Sequence, residues 1–127
     1  MRGLMMAGAL AATALAAGLP ATAKPGQSCF HVTDWYGWKA ADDHTVYLNI
    51  GNNRVFRLEM AGACPLLTTG DSKIISVDRE GSGLICSPAE LDIHVSEGSG
   101  IVTECIVGGM SELTPGQISA LPKHLRP

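Results

Sequence analysis

The segment Thr45-Val46-Tyr47-Leu48-Asn49-Ile50-Gly51-Asn52-Asn53-Arg54-Val55-Phe56-Arg57-Leu58-Glu59-Met60 reads as a β-hairpin. Val46, Leu48 and Ile50 alternate with Thr45, Tyr47 and Asn49, and Phe56, Leu58 and Met60 alternate with Val55, Arg57 and Glu59. Side chains of a strand point to opposite faces in turn, so the register of the pair can be tested by its apolar positions. A three-residue loop, Gly51-Asn52-Asn53, sets Leu48 opposite Phe56 and Val46 opposite Leu58. A two-residue loop would set Leu48 opposite Arg57 and mix the faces. Gly and Asn tolerate the left-handed backbone that such loops require, so the composition of the loop agrees with the register.

Upstream stands an aromatic cluster, Trp35-Tyr36-Gly37-Trp38, followed by an acidic turn, Asp42-Asp43-His44. Cys29 to Thr33 forms a short strand, and Trp35 to Lys39 continues it past a glycine bulge. Downstream, Lys73 to Asp78 is the next strand, and Glu80-Gly81-Ser82-Gly83 turns it back into Leu84-Ile85-Cys86. Leu91, Ile93 and Val95 alternate with Asp92, His94 and Ser96, the pattern of a half-buried strand with His94 on its solvated side. Glu97-Gly98-Ser99-Gly100 leads into a last strand from Ile101 to Val107. Thr114-Pro115-Gly116-Gln117 is a helix start, with a capping threonine, proline at the first helical position and glutamine three after the cap. Pro122 stops that helix after barely two turns. Short strands separated by Gly-rich turns predict a mainly β fold: a small antiparallel sheet, sandwich or partly open barrel with one short C-terminal helix.

The 127 residues hold at most one domain. The first 23 read as a cleavable export signal: Arg2, an apolar run from Leu4 to Leu19, and Ala21-Thr22-Ala23 as a small-x-small cleavage site. Cys29 follows Gly26-Gln27-Ser28, which is not a lipidation context. The expectation is a periplasmic or secreted domain over residues 24–127, without lipid or membrane span. Without Arg2 that part carries eight Lys and Arg against twelve Asp and Glu, net −4. The basic residues are scattered singly, so the clustered charge of nucleic-acid binding is missing.

Cys29, Cys64, Cys86 and Cys105 all lie in this part. An even count in a short exported chain reads as two disulfides, each worth roughly 2–4 kcal/mol, and the wide spacing argues against a zinc site. Of three possible connectivities, the expectation is Cys29 with Cys105 and Cys64 with Cys86, which ties the first segment to the last strand.

Several motifs occur together: Gly37-Trp38-Lys39-Ala40, Asp42-Asp43, Thr45-Val46-Tyr47-Leu48, Arg54-Val55-Phe56-Arg57-Leu58, Cys64-Pro65, Ile85-Cys86-Ser87-Pro88, Cys105-Ile106-Val107 and Leu113-Thr114-Pro115. As a set they resemble a bacterial domain-of-unknown-function family of short exported proteins with four paired cysteines. The resemblance implies export and cysteine pairing, and brings no activity with it.

The residues that could carry a function are few. Trp35, Tyr36 and Trp38 hold most of the aromatic surface; exposed, they would form a ligand platform, and buried, they fill a small core, the expectation for Trp38. Asp42, Asp43 and His44 could do acid–base work, but neighbours in a strand diverge, and Asp-Asp before a strand is ordinary turn chemistry. His31, His94 and His124 have no ligand-spaced partner, no metal or cofactor is implied, and Glu104 is expected to point outward on an edge strand. The sequence therefore favours a non-catalytic binding module of the cell envelope, with Trp35 to His44 as its surface and a protein or small molecule as its ligand. A small hydrolase or isomerase using Asp42, Asp43 and a histidine, and a purely structural envelope protein, are the alternatives.

Overall fold

A computed structural model describes residues 28–127, so the expected export segment, residues 1–23, lies outside the described residues. Eight strands appear among them: β1 (Phe30–His31), β2 (Gly37–Ala40), β3 (Thr45–Asn49), β4 (Val55–Met60), β5 (Lys73–Asp78), β6 (Leu84–Ile85), β7 (Leu91–Ser96) and β8 (Val102–Glu112). One helix, α1 (Pro115–Ala120), follows. β1 and β6 form a two-stranded ladder; the rest make one antiparallel sheet in the order β2-β3-β4-β8-β7-β5.

The hairpin has the expected register, with Leu48 opposite Phe56 and Val46 opposite Leu58. Its loop is closed by the Ile50 N–H donating to the Arg54 carbonyl at 3.0 Å and the Arg54 N–H to the Gly51 carbonyl at 2.9 Å. Gly51, Asn52 and Asn53 take φ of 80°, 50° and 60°, the left-handed values their side chains permit.

β8 gives the sheet its curvature. Its first half pairs with β7, from Ser96↔Val102 to Asp92↔Ile106, and its second half with β4, from Met60↔Val107 to Phe56↔Glu112. The register shifts between Glu59 and Met60, opposite Gly108. A Cβ on Gly108 would stand 3.2 Å from the Ala61 Cα, tighter than an ordinary contact, so glycine gives the chains room to close at this bend. The sheet curls into a half-barrel around Phe30, Val46, Leu48, Phe56, Leu58, Ile85, Leu91, Ile93 and Val95, all buried. Phe30 and Phe56 meet edge-to-face with centroids 4.9 Å apart. Arg54 joins three parts of the fold: its Nε and Nη2 donate to Glu112 Oε1 at 3.0 and 2.6 Å, and Nη2 also donates to the Cys29 carbonyl at 2.9 Å.

The second face of the hairpin is covered too. Thr45, Tyr47 and Val55 are buried although they alternate with the core positions. The chain after β8 folds back over them, so that Leu113, Gln117, Ala120 and Leu121 share a cleft with Tyr47 and Arg57. The α1 start is as expected: Thr114 Oγ1 accepts from the Gln117 N–H at 3.2 Å, and Gln117 Oε1 accepts from the Thr114 N–H at 2.8 Å.

The disulfides are Cys29–Cys86 and Cys64–Cys105, which corrects the expected pairing of Cys29 with Cys105 and Cys64 with Cys86. The reason is local ladder geometry. Phe30 pairs with Ile85, so the next position outward brings Cys29 beside Cys86 with 4.1 Å between their Cα atoms. Met60 pairs with Val107, and the Ala61 N–H donates to the Ile106 carbonyl, which carries Cys64 onto β8 beside Cys105. Glu104 points outward as expected, on the half of β8 whose ladder is with β7 alone. Among the described residues no helix is long and apolar enough to cross a membrane.

Candidate functional site

The sheet does not close. β2 and β5 are its two edge strands, and among the described residues no backbone hydrogen bond joins them. They come close enough to line one cleft of about 260 Å³. Trp38 and Gly37 of β2 form one side, Ile74 and Ser76 of β5 the other, with Val32, Trp35 and Tyr36 from the segment before β2.

Each aromatic ring is placed by a different device. Trp38 points inward from β2, opposite Leu48, and is half-buried against the core, so the expectation of a core tryptophan holds for only part of the ring. Trp35 follows a 3-10 turn, Val32–Asp34, and its indole Nε1–H donates to the Gly37 carbonyl at 3.1 Å. Tyr36 is 73% exposed, and its N–H donates to the Asn49 carbonyl at 2.9 Å. Its ring lies on Gly51, where a Cβ would come within 2.8 Å of the ring edge. The glycine that the loop needs for its backbone is therefore also the seat of an exposed aromatic ring.

Asp42, Asp43 and His44 lie at the other end of β2, in the turn to β3, and line none of the clefts at Trp38, Tyr47, Ala61 or Gly98. Asp42 Oδ1 accepts from the backbone N–H groups of His44 and Thr45, both at 2.8 Å. The His44 N–H foremost, with the Thr45 N–H adding to it, holds the Asp42 carboxyl below its ordinary value. Asp43 Oδ1 meets His44 Nδ1 at 2.6 Å on the open surface. The turn bends sharply enough to bring one ligand atom from each of the three residues within 4.8 Å of one another. The same turn is structural: the Asp43 carbonyl accepts from the Cys64 N–H and the His44 carbonyl from the Met60 N–H, each at 2.7 Å.

The whole chain, residues 1–127, matches a family described as "Family of unknown function (DUF6491)". The chain belongs to DUF6491. No curated protein and no solved structure matches it. For this DUF6491 protein the structure separates the two halves of the surface read from sequence: Trp35, Tyr36 and Trp38 share a cleft, and Asp42, Asp43 and His44 stand apart from it. Sequence reasoning missed Val32, Ile74 and Ser76 as cleft residues. The alternation of Ile74 and Ser76 with Lys73, Ile75 and Val77 marks them as one face of a strand. Nothing local says that this face ends opposite a tryptophan 36 positions earlier in the chain.

Proposed function

We propose that this DUF6491 domain is a non-catalytic binding module that works after export, in the periplasm or outside the cell, and that its ligand enters the open seam between β2 and β5. One observation carries the reading. Both tryptophans of the chain and the exposed Tyr36 sit at the place where the half-barrel is left unclosed. Half-exposed aromatic rings offer a large apolar contact at little entropic cost, which is why they anchor ligands and partners. Two disulfides suit an oxidising compartment, and the sequence of residues 1–23 has the pattern of an export signal.

The enzyme alternative rests on the Asp43–His44 contact, a carboxylate–imidazole pair suited to proton transfer. Its exposure on a turn, away from the clefts, gives a substrate no enclosure, and the Asp42 carboxylate is already engaged by the backbone. The test compares what envelope fractions deliver to three immobilised proteins: wild type, a Trp35→Ala/Tyr36→Ala variant and an Asp43→Ala/His44→Ala variant. Retention by wild type and the turn variant, with loss in the aromatic variant, is the expected result. The opposite pattern would move the site to the turn and refute the seam.

A further inference from the structure

We infer that the seam receives an extended polypeptide segment, which pairs as an added strand with the edge of β5 that no strand covers among the described residues, and lies against β2 on its other side; this rests on the binding function proposed above and names the ligand class.

The backbone of the two edges makes the case. In an antiparallel ladder, residues that exchange hydrogen bonds with the neighbouring strand alternate with residues whose N–H and C=O point away. The Arg79 N–H donates to the Glu90 carbonyl, in register with Asp78↔Leu91, so Lys73, Ile75 and Val77 face β7 with their backbone groups. Ile74 and Ser76 then turn theirs to the open edge, and these are the two β5 residues that line the cleft. On β2 the Ala41 N–H donates to the Thr45 carbonyl, in register with Ala40↔Val46. By the same alternation Trp38 and Ala40 turn their backbone groups away from β3 and toward the seam. A small apolar molecule could cover the rings, but an extended backbone is the ligand that replaces water along a whole row of alternating donors and acceptors.

Topology sets the direction of the added strand. Successive antiparallel pairings make β2 and β5 run opposite ways. A strand between them is antiparallel to one edge and parallel to the other. β5 has six residues and β2 four, and antiparallel pairing is the stronger, so the segment runs antiparallel to β5. Its inward side chains meet Trp38 and Ile74, which calls for apolar residues at alternate positions. Lys39 and Lys73 are exposed, one on each edge. Edge lysines discourage indiscriminate pairing and make carboxylates the complement at the ends of a partner.

The experiment uses the disulfide-bonded protein and a synthetic peptide, Glu-Val-Thr-Val-Thr-Val-Glu, beside an analogue whose three central amides are esters. Because Trp35 and Trp38 are the chain's two tryptophans, tryptophan emission, excited beyond the tyrosine band, reports from the seam alone. The expected result is a blue shift with the peptide, slowed hydrogen exchange at the Ile74, Ser76 and Trp38 amides, and affinity at least about tenfold weaker for the ester analogue, the loss that follows from removing backbone donors. Equal binding of peptide and ester analogue would overturn strand addition while leaving the seam as a binding site. Slow exchange at those three amides in the free monomer, or their protection by a dimer seen in sedimentation, would also overturn it, since the edge would already be covered. Absence of any peptide response overturns it too, and the envelope-capture comparison then decides separately whether the seam binds anything.

Discussion

Asp42 shows how one side chain can shape the start of a strand. Its carboxylate collects the His44 and Thr45 N–H groups and so sets the bend that starts β3. Because those donors lower its pKa in the folded chain, the sign of the pH effect follows. The stabilisation is fully present above the unfolded value of about 3.9 and is lost as pH falls through the lowered folded value. Asp42→Ala should therefore lower Tm at neutral pH, and the gap to wild type should narrow below about pH 4, read from thermal melts at pH 7 and pH 3. Equal gaps at both would show that the carboxylate charge does not hold the turn. Gly51 makes a second prediction at this scale. Alanine there meets a left-handed backbone and the Tyr36 ring together, so Gly51→Ala should cost about 1–2 kcal/mol in urea unfolding and change the accessibility of Tyr36.

Among the elements, β8 does most to shape the molecule, because it changes partner half-way along. Gly108 sits where the ladder passes from β7 to β4, with the Ala61 backbone close above it. Gly108→Val should destabilise by roughly 1–3 kcal/mol, since the neighbour it meets is main chain and has little room to move. Denaturant midpoints against wild type measure it. α1 is too short to persist alone, and its end of the chain is held by packing over Tyr47 and Arg57. Thr114→Ala removes the acceptor for the Gln117 N–H and should cost about 1 kcal/mol, with faster exchange at that amide as the local sign. Strand existence, the hairpin register and the helix cap were all legible in sequence, because each depends on neighbours a few residues away. The burial of Tyr47 was not, because the residues that cover it come from Leu113 to Leu121.

For the molecule as a whole, Cys29–Cys86 clamps β1 to the end of β6, and Cys64–Cys105 clamps the connection after β4 to β8. Proteolytic mapping without reductant should recover these two pairs and neither Cys29–Cys105 nor Cys64–Cys86. Each bridge is worth about 2–5 kcal/mol in a domain of this kind, and a whole domain holds about 5–15, so reduction of both should leave the chain largely unfolded at ambient temperature by circular dichroism. The sequence by itself determined the β class, the hairpin register, the capped helix and the presence of two disulfides. Those properties follow from side-chain period, turn chemistry and cysteine count, which are local or additive. Only the tertiary structure decided which cysteines meet, that Trp38 and Ile74 share a seam, and that Asp42 to His44 stand outside it. These depend on strand order and on the curl imposed at Gly108, which join residues far apart in the chain and leave no periodic signal along it.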